Sequence, residues 1–422
     1  MDFKNTLAFA QQLDEDDPLK DFRKKFYIPE KNGKPVIYFC GNSLGLQPQS
    51  TQHYLAQVLE AWQHLAVEGH FSGANPWSTF HKKLREPIAK LIGALPIEVI
   101  SMNALTVNLH LLLVSFYRPT PQRYKILVEH KPFPSDRYAL SSHIRWHGLS
   151  EEDCFIELRP REHEHSLRTE DILQAIEQHK EELALVLFGG INYLSGQLFE
   201  LEKITQAAHQ AGALMGLDLA HAIGNVPLQL HQWQVDFATW CTYKYLNSGP
   251  GGIAGIFIHE KFAHQSQLPR FAGWYGHNEE RRFLMEETFQ PIPGADGWQL
   301  SNGPALLFAS LKASLDIFEE AGIENLRKKS IQLTGYLEFL LAGLNKKAGK
   351  ERINVITPTN SEERGCQLSL EITGRGKEYF QKLTKAGVIL DWREPNILRV
   401  APVPLYNTFE EVYNFYKILE EI

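Results

Sequence analysis

The order of apolar and polar positions along the chain predicts an alternating α/β core. Residues 124–129, 183–188, 213–218, 235–243 and 253–258 are apolar runs with little polar alternation. Strands buried on both faces have this pattern. Residues 171–180 and 200–211 between them show helical spacing, and the second of these segments closes at Gly212. Strand–helix–strand succession implies an α/β fold, with a mostly parallel central sheet and helices on both faces. Upstream, a short strand at 36–40 ends at Gly41, and a helix is predicted over 50–67. In that helix Leu55, Val58, Leu59, Trp62, Leu65 and Ala66 recur at i, i+3, i+4 and i+7, which predicts one buried face. A further helix over 104–116 is closed by Pro119 and Pro121. The tail differs: long helices over 306–320 and 323–344 precede short strands near 353–357, 366–372, 388–392 and 397–401. Helices at 376–386 and 408–421 give this part an α+β character. The expected division is an arm (1–35), a large domain (36–300) and a smaller C-terminal α+β domain (301–422).

Composition narrows the function classes. The chain has 422 residues, 22% charged and 43% hydrophobic, with 43 basic against 50 acidic side chains and a net charge of −7. That balance argues against a nucleic-acid binder or a ligand of anionic membranes, and leaves room for a local basic pocket that holds one small anion. No apolar run approaches the roughly 18–20 residues of a spanning helix. The start, Met1-Asp2-Phe3-Lys4, lacks a basic and apolar leader, so a cytoplasmic location is expected. The four cysteines lie far apart with no CxxC, which excludes a zinc ribbon and argues against a disulfide framework.

Two glycine motifs suggest chemistry and are set aside. Gly41-Asn42-Ser43-Leu44-Gly45 matches GxSxG between a strand and a helix, the context of a hydrolase nucleophile. Only 40 residues precede it, and none supplies the oxyanion loop that nucleophile needs. Gly249-Pro250-Gly251-Gly252-Ile253-Ala254 matches a dinucleotide fingerprint, but a strand follows it where a helix is required. His259-Glu260 is not HExxH, since the next histidine is His264, and no metal site is expected.

One constellation remains. Asp218 ends one apolar strand, and Lys244 follows the next, 26 residues on. Ligands of open α/β sheets bind at the carboxyl ends of the strands. A lysine there is an ion-pair partner of Asp218 or a functional amine. Pyridoxal phosphate chemistry requires a lysine for a Schiff base and a carboxylate facing the pyridinium nitrogen. It also needs donors for a phosphate, which Asn103-Ala104-Leu105-Thr106 supplies at a helix start.

These blocks resemble the kynureninase family of fold-type-I pyridoxal phosphate enzymes. The resemblance is carried by Asp218-Leu219-Ala220-His221-Ala222-Ile223-Gly224-Asn225 and Tyr243-Lys244-Tyr245-Leu246-Asn247. It recurs at Gly41 to Gly45, Met102 to His110, Phe133-Pro134-Ser135-Asp136, Gly273-Trp274-Tyr275-Gly276-His277 and Arg399 to Tyr406, in order along nearly the whole chain. It implies hydrolytic Cβ–Cγ cleavage of L-kynurenine or 3-hydroxykynurenine, yielding anthranilate or 3-hydroxyanthranilate and L-alanine, in tryptophan catabolism or NAD-precursor biosynthesis. Lys244 would carry pyridoxal 5'-phosphate, with Asp218 at the pyridinium nitrogen and Phe133 on the ring. Leu105 and Thr106 would hold the phosphate with Tyr243 nearby, and Ser135, Asp136 and His221 would complete the shell. Tyr243 would also shuttle a proton. Trp274 and Asn302 resemble residues lent by the second subunit of a homodimer. Arg399 would grip the substrate α-carboxylate through its planar fork, with Ser43, His70 and Asn302 on the substrate side.

The pattern departs from the family at Gly189, where a serine side chain is usual near the cofactor, and at Gly303, where proline is usual. The competing expectations are three. A cysteine desulfurase would need a mobile cysteine, for which Cys366 is the nearest candidate. A serine hydrolase would act through Ser43, and a non-catalytic binding protein would share the fold.

Overall fold

A seven-stranded sheet forms the centre of the computed structural model, which describes residues 2–348, 353–372 and 374–422. In chain order its strands are β1 (Val99–Ser101), β2 (Lys125–Val128), β3 (Phe155–Glu157) and β4 (Leu183–Gly189). They continue with β5 (Leu214–Asp218), β6 (Phe237–Trp240) and β7 (Gly255–Ile258). The spatial order is β1-β7-β6-β5-β4-β2-β3, with only β7 antiparallel to its neighbours. The unbroken apolar runs have a direct cause. Val186 and Phe188 of β4 enter the core on one face, and Leu185 and Leu187 enter the core on the other. Helices Lys82–Ile92, Thr169–Gln178, Leu201–Gln210 and Ala305–Ala321 supply the first face, and Leu105–Phe116 and Pro134–Trp146 the second.

A four-stranded antiparallel sheet forms the C-terminal layer, from Asn354–Val355, Leu368–Glu371, Ile397–Val400 and Asp391–Arg393 in spatial order. Helices Ile323–Ala348, Gly376–Lys385 and Phe409–Glu421 cover it. The last begins with a reciprocal cap, in which Thr408 accepts from Glu411 N–H and the Glu411 carboxylate accepts from Thr408 N–H. Such a cap contributes about 1 kcal/mol.

The two cores are cut differently from the division expected at residues 35 and 300. Helix Leu7–Asp16 packs on helix Phe409–Glu421, and Asp17 pairs with buried Lys329 at 2.7 Å. Ile37–Tyr38 pairs in parallel with Val388–Ile389, so the first strand after the arm joins the C-terminal layer. Conversely, Phe308, Leu311, Leu315 and Phe318 belong to the large core. One helix departs from expectation. Residues Thr51–Leu65 are helical, but Leu59 and Trp62 are exposed, Trp62 at 64%. Only Val58 of the six expected apolar positions is fully buried, although the helix packs on Ala305–Ala321. Periodicity reports an apolar stripe, not what covers it.

Candidate active site

Four adjacent parallel strands end side by side, and each delivers one residue to the same crevice. Glu129 follows β2, Gly189 ends β4, Asp218 ends β5, and Lys244 lies just beyond β6. Two helix starts close the crevice. Helix Leu105–Phe116 begins at Ala104 with no side-chain cap on its first N–H groups, and its first two residues, Leu105 and Thr106, line the cavity. Helix Pro134–Trp146 begins at Phe133, and Ser135 Oγ lies 2.7 Å from Thr106 Oγ1. The resulting cavity is about 200 Å³ and is lined by Leu105, Thr106, Phe133, Ser135, Asp136, Asp218, His221, Tyr243 and Lys244. Nine of the expected residues therefore meet in one place, joined by Glu129, Gly189, Ile191 and Tyr193.

Within the cavity the charges are arranged around Lys244. Its Nζ lies 3.0 Å from His221 Nε2 and 5.6 Å from the Phe133 ring centroid. Burial, reinforced by the Lys244 charge, holds the His221 imidazole neutral, well below its usual range. Nε2 accepts, so Nδ1 carries the hydrogen, and this buried Nδ1 has no partner. Asp218 Oδ1 accepts from Ala220 N–H at 2.7 Å, which fixes its carboxylate. Burial pushes the carboxyls of Asp136 and Asp218 up, and Lys244 opposes that for both. Two touching carboxylates cannot both ionise in a buried site. Of the two, Asp136 is pushed up further, by burial and by the charge and hydrogen bonding of Asp218, whereas Lys244 and the Ala220 N–H draw Asp218 down, so Asp218 is the member that favours the charge. Burial raises the Tyr243 phenol too, so at neutral pH it is a proton donor rather than a base.

Arg399 and Ser43 form an adjoining cluster outside this lining. Arg399 is 1% exposed and pairs with Asp391 at 2.7 Å. It donates to Tyr193 O at 2.8 Å through Nη1 and to Ser43 Oγ at 3.2 Å through Nη2. Ser43 Oγ donates in turn to Asp391 Oδ2 at 2.6 Å. Tyr193 joins the two groups of residues, since it lines the cavity and its ring meets Phe133 edge-on at 5.3 Å. Ser43 has no histidine partner, so the hydrolase arrangement is absent at this hydroxyl. The glycines of its loop serve close approach. Gly45 N–H donates to Tyr243 O at 2.8 Å, and a Cβ there would fall 2.3 Å from Lys244 O.

His70, Trp274 and Asn302 are not brought to Lys244 within this chain. Trp274 is 44% exposed, its ring 5.3 Å from Phe283, which reaches His70 through Phe71. Asn302 lies exposed nearby in sequence, after Leu300, whose carbonyl accepts from Tyr275 N–H. Reading the sequence missed Glu129, Tyr193 and Asp391. Glu129 closes an expected strand immediately before Phe133-Pro134-Ser135-Asp136, and the rule about strand carboxyl ends was sufficient to find it. Asp391 is the register partner of Arg399 across the small sheet, which no local pattern announces.

Among the described residues one further polar cluster has metal-like spacing: Glu98, His231 and His259 offer ligand atoms within 4.8 Å of one another. The Glu98 carboxylate already accepts from Leu95 N–H, Glu260 N–H and His231 Nδ1, so it works as a buried tie between loops.

The fold and the strand-end lysine define the class. A cysteine desulfurase from Escherichia coli superposes with a TM-score of 0.77 at 17% identity, covering 96% of this chain and 98% of that one. The cysteine desulfurase of Thermococcus onnurineus gives 0.76 at 18%, covering 95% and 97%. These are fold-type-I pyridoxal phosphate enzymes in architecture, and at that identity they share the fold alone. Cys366 does not supply a desulfurase nucleophile, being fully buried with its thiol pushed up to about 12 by burial.

The sequence relatives are more specific. The kynureninase of Flavobacterium psychrophilum is 55% identical over 421 residues, covering 100% of this chain and 99% of that protein. That of Mus musculus is 48% identical over 429 residues, covering 98% and 92%. The kynureninase C-terminal domain family matches residues 326–419. The chain belongs to the kynureninase family.

Proposed function

We propose that this chain hydrolyses the Cβ–Cγ bond of L-kynurenine or its 3-hydroxy form with pyridoxal 5'-phosphate, releasing L-alanine and the anthranilate. The observation that supports it most is the single cavity in which Lys244, Asp218 and Phe133 face two uncapped or hydroxyl-bearing helix starts. The residues fit this cofactor. Three buried polar atoms, His221 Nδ1, Asp136 Oδ1 and Glu129 Oε2, lack partners, as expected of a polar cradle built for a ligand. Lys244 would hold the group covalently and Asp218 would face its ring nitrogen. The Leu105 and Thr106 N–H groups, with the Thr106 and Ser135 hydroxyls, would take the phosphate. When bound, the cofactor supplies an electron sink and a carbonyl that captures the substrate amine.

The chain's own groups do the rest. With the cofactor bound, Lys244 Nζ would be the base for the substrate Cα proton, and neutral His221, its Nε2 3.0 Å away, would accept a hydrogen bond from the ammonium. The charged Asp218 keeps a positive ring nitrogen favourable, and Asp136 keeps Asp218 the charged member of its pair. Tyr243, held protonated by burial, would be the group in the cavity able to donate a proton to the substrate through Oη. Arg399 grips the α-carboxylate with Ser43 at its edge. The molecule would act as a cytoplasmic homodimer in tryptophan catabolism or NAD-precursor formation. Trp274 and Asn302 would cross to the partner's cavity, and His70 would travel with Trp274. The exposed Phe71 and Phe283, in contact with each other and, through Phe283, with Trp274, support an apolar interface on that side.

Purified chain incubated with the cofactor and kynurenine should release fluorescent anthranilate. Lys244→Arg should abolish both turnover and the borohydride-trappable chromophore. A wild-type chain that never binds the cofactor overturns the proposal.

A further inference from the structure

Glu129 is the one charged group of the cavity that the catalytic sequence above leaves without work. Its side chain sits at the end of β2 beside the Asp136–Asp218 pair, 4% exposed, with Oε2 buried and unpartnered. Oε1 accepts from Gly189 N–H at 3.3 Å. The space it enters exists because residue 189 is glycine: a Cβ there would fall 2.9 Å from Glu129 Oε1. Glu129 and a side chain at 189 therefore compete for one volume at the cofactor cradle.

We propose that Glu129 is a positioning residue that occupies the room left by Gly189 and acts on the bound cofactor through the Asp136–Asp218 pair. This rests on the pyridoxal phosphate reading and deepens it. Burial, with Asp218 nearby, pushes the Glu129 carboxyl up to about 8. The groups facing it are Asp136 on helix Pro134–Trp146, Asp218 on β5 and the Tyr193 phenol, with Lys244 acting on both aspartates. Below that value Glu129 is neutral and adds no charge against Asp218. Above it, a second negative charge enters the cradle and competes with Asp218 for protons.

The test uses the cofactor-loaded protein and reads cofactor absorbance, not turnover. Between about pH 6 and 10 the wild-type spectrum should show a step near the Glu129 value of about 8. Glu129→Gln, which keeps the shape and cannot ionise, should lose that step and retain cofactor affinity within about twofold. Glu129→Ala strips Gly189 N–H of its acceptor and should weaken cofactor retention about tenfold. Gly189→Ser in the wild-type background should weaken it similarly by expelling Glu129. In the Glu129→Ala background the same serine should do no harm or restore affinity, because the volume is vacant. A Glu129→Gln titration identical to wild type, or an equal loss from Gly189→Ser in both backgrounds, overturns the inference. A wild-type chain that takes up no cofactor would overturn the proposed function as well; uptake with unchanged variants would overturn this inference alone.

Discussion

Removing the Arg399 guanidinium separates substrate capture from cofactor binding. Arg399 has five N–H donors. In the free protein Nε and one Nη2 donor meet Asp391, the other Nη2 donor meets Ser43, and one Nη1 donor meets Tyr193 O. A substrate carboxylate has to take donors now shared with Ser43 and Asp391, or the remaining Nη1 donor. A hydrogen bond between charged groups contributes about 1.5–3 kcal/mol. Losing one such bond raises KM about 10- to 100-fold, at about 1.4 kcal/mol per factor of ten. Arg399→Ala leaves Asp391 paired with Arg393 at 2.9 Å, so that carboxylate is not stranded. Arg399 does not line the cavity around Lys244 and Asp218, so cofactor affinity should stay within about threefold. Arg399→Lys should recover little, because a point charge does not reproduce the fork. The assay pairs anthranilate release over a range of kynurenine concentrations with cofactor titration by absorbance. An unchanged KM removes Arg399 from the carboxylate site. A cofactor loss as large as the change in KM shows that Arg399 supports the whole cavity.

Three further outcomes test other parts of the molecule. If the cavity is completed across a dimer, mixing inactive Trp274→Ala chains with inactive Lys244→Ala chains should restore part of the activity after subunit exchange; no restoration places Trp274 outside the partner's site. Glu98→Ala leaves the Leu95 and Glu260 N–H groups without their acceptor and should cost about 3 kcal/mol in urea unfolding; a loss under about 1 kcal/mol would mean that water replaces it. Asp236 is held below its usual range by His209 and Lys261 against the cost of burial. A depressed carboxyl stabilises above its unfolded pKa and loses that contribution as pH falls through the folded value. Asp236→Asn should therefore flatten the fall in stability below about pH 4, and an unchanged acid limb of the pH–stability curve would refute its part in it.

Five of the seven central strands and the strand-end placement of Asp218 and Lys244 were legible from local pattern, because strands buried on both faces must be apolar along their whole length, whereas the three-residue strands Val99–Ser101 and Phe155–Glu157 are too short to show one. The elements expected in the tail appear within a few residues of their positions for the same reason: spacing reports the face an element needs to bury. Lys244 was legible as an ion-pair partner of Asp218 or a functional amine, because a lysine at a strand end of an open α/β sheet is costly unless paired or used, and only the family blocks around it chose between the two. What covers an apolar face was not legible. Trp62 and Leu59 share the periodicity of Val58, yet they lie exposed in the single chain. Asp391 and Arg399 meet only when two strands register across the C-terminal sheet, and Tyr193 reaches Arg399 across 206 residues. Glu129 and Gly189 lie 60 residues apart and acquire a relation only when adjacent parallel strands end side by side. Sequence by itself determined the five apolar core strands, the helices whose spacing showed a buried face and the residue types that carry chemistry, since those follow from local spacing and the cost of burial. Tertiary structure alone decided which of them share one cavity and which carboxyls are pushed up by burial and by each other, because both depend on distances that close only in the folded chain.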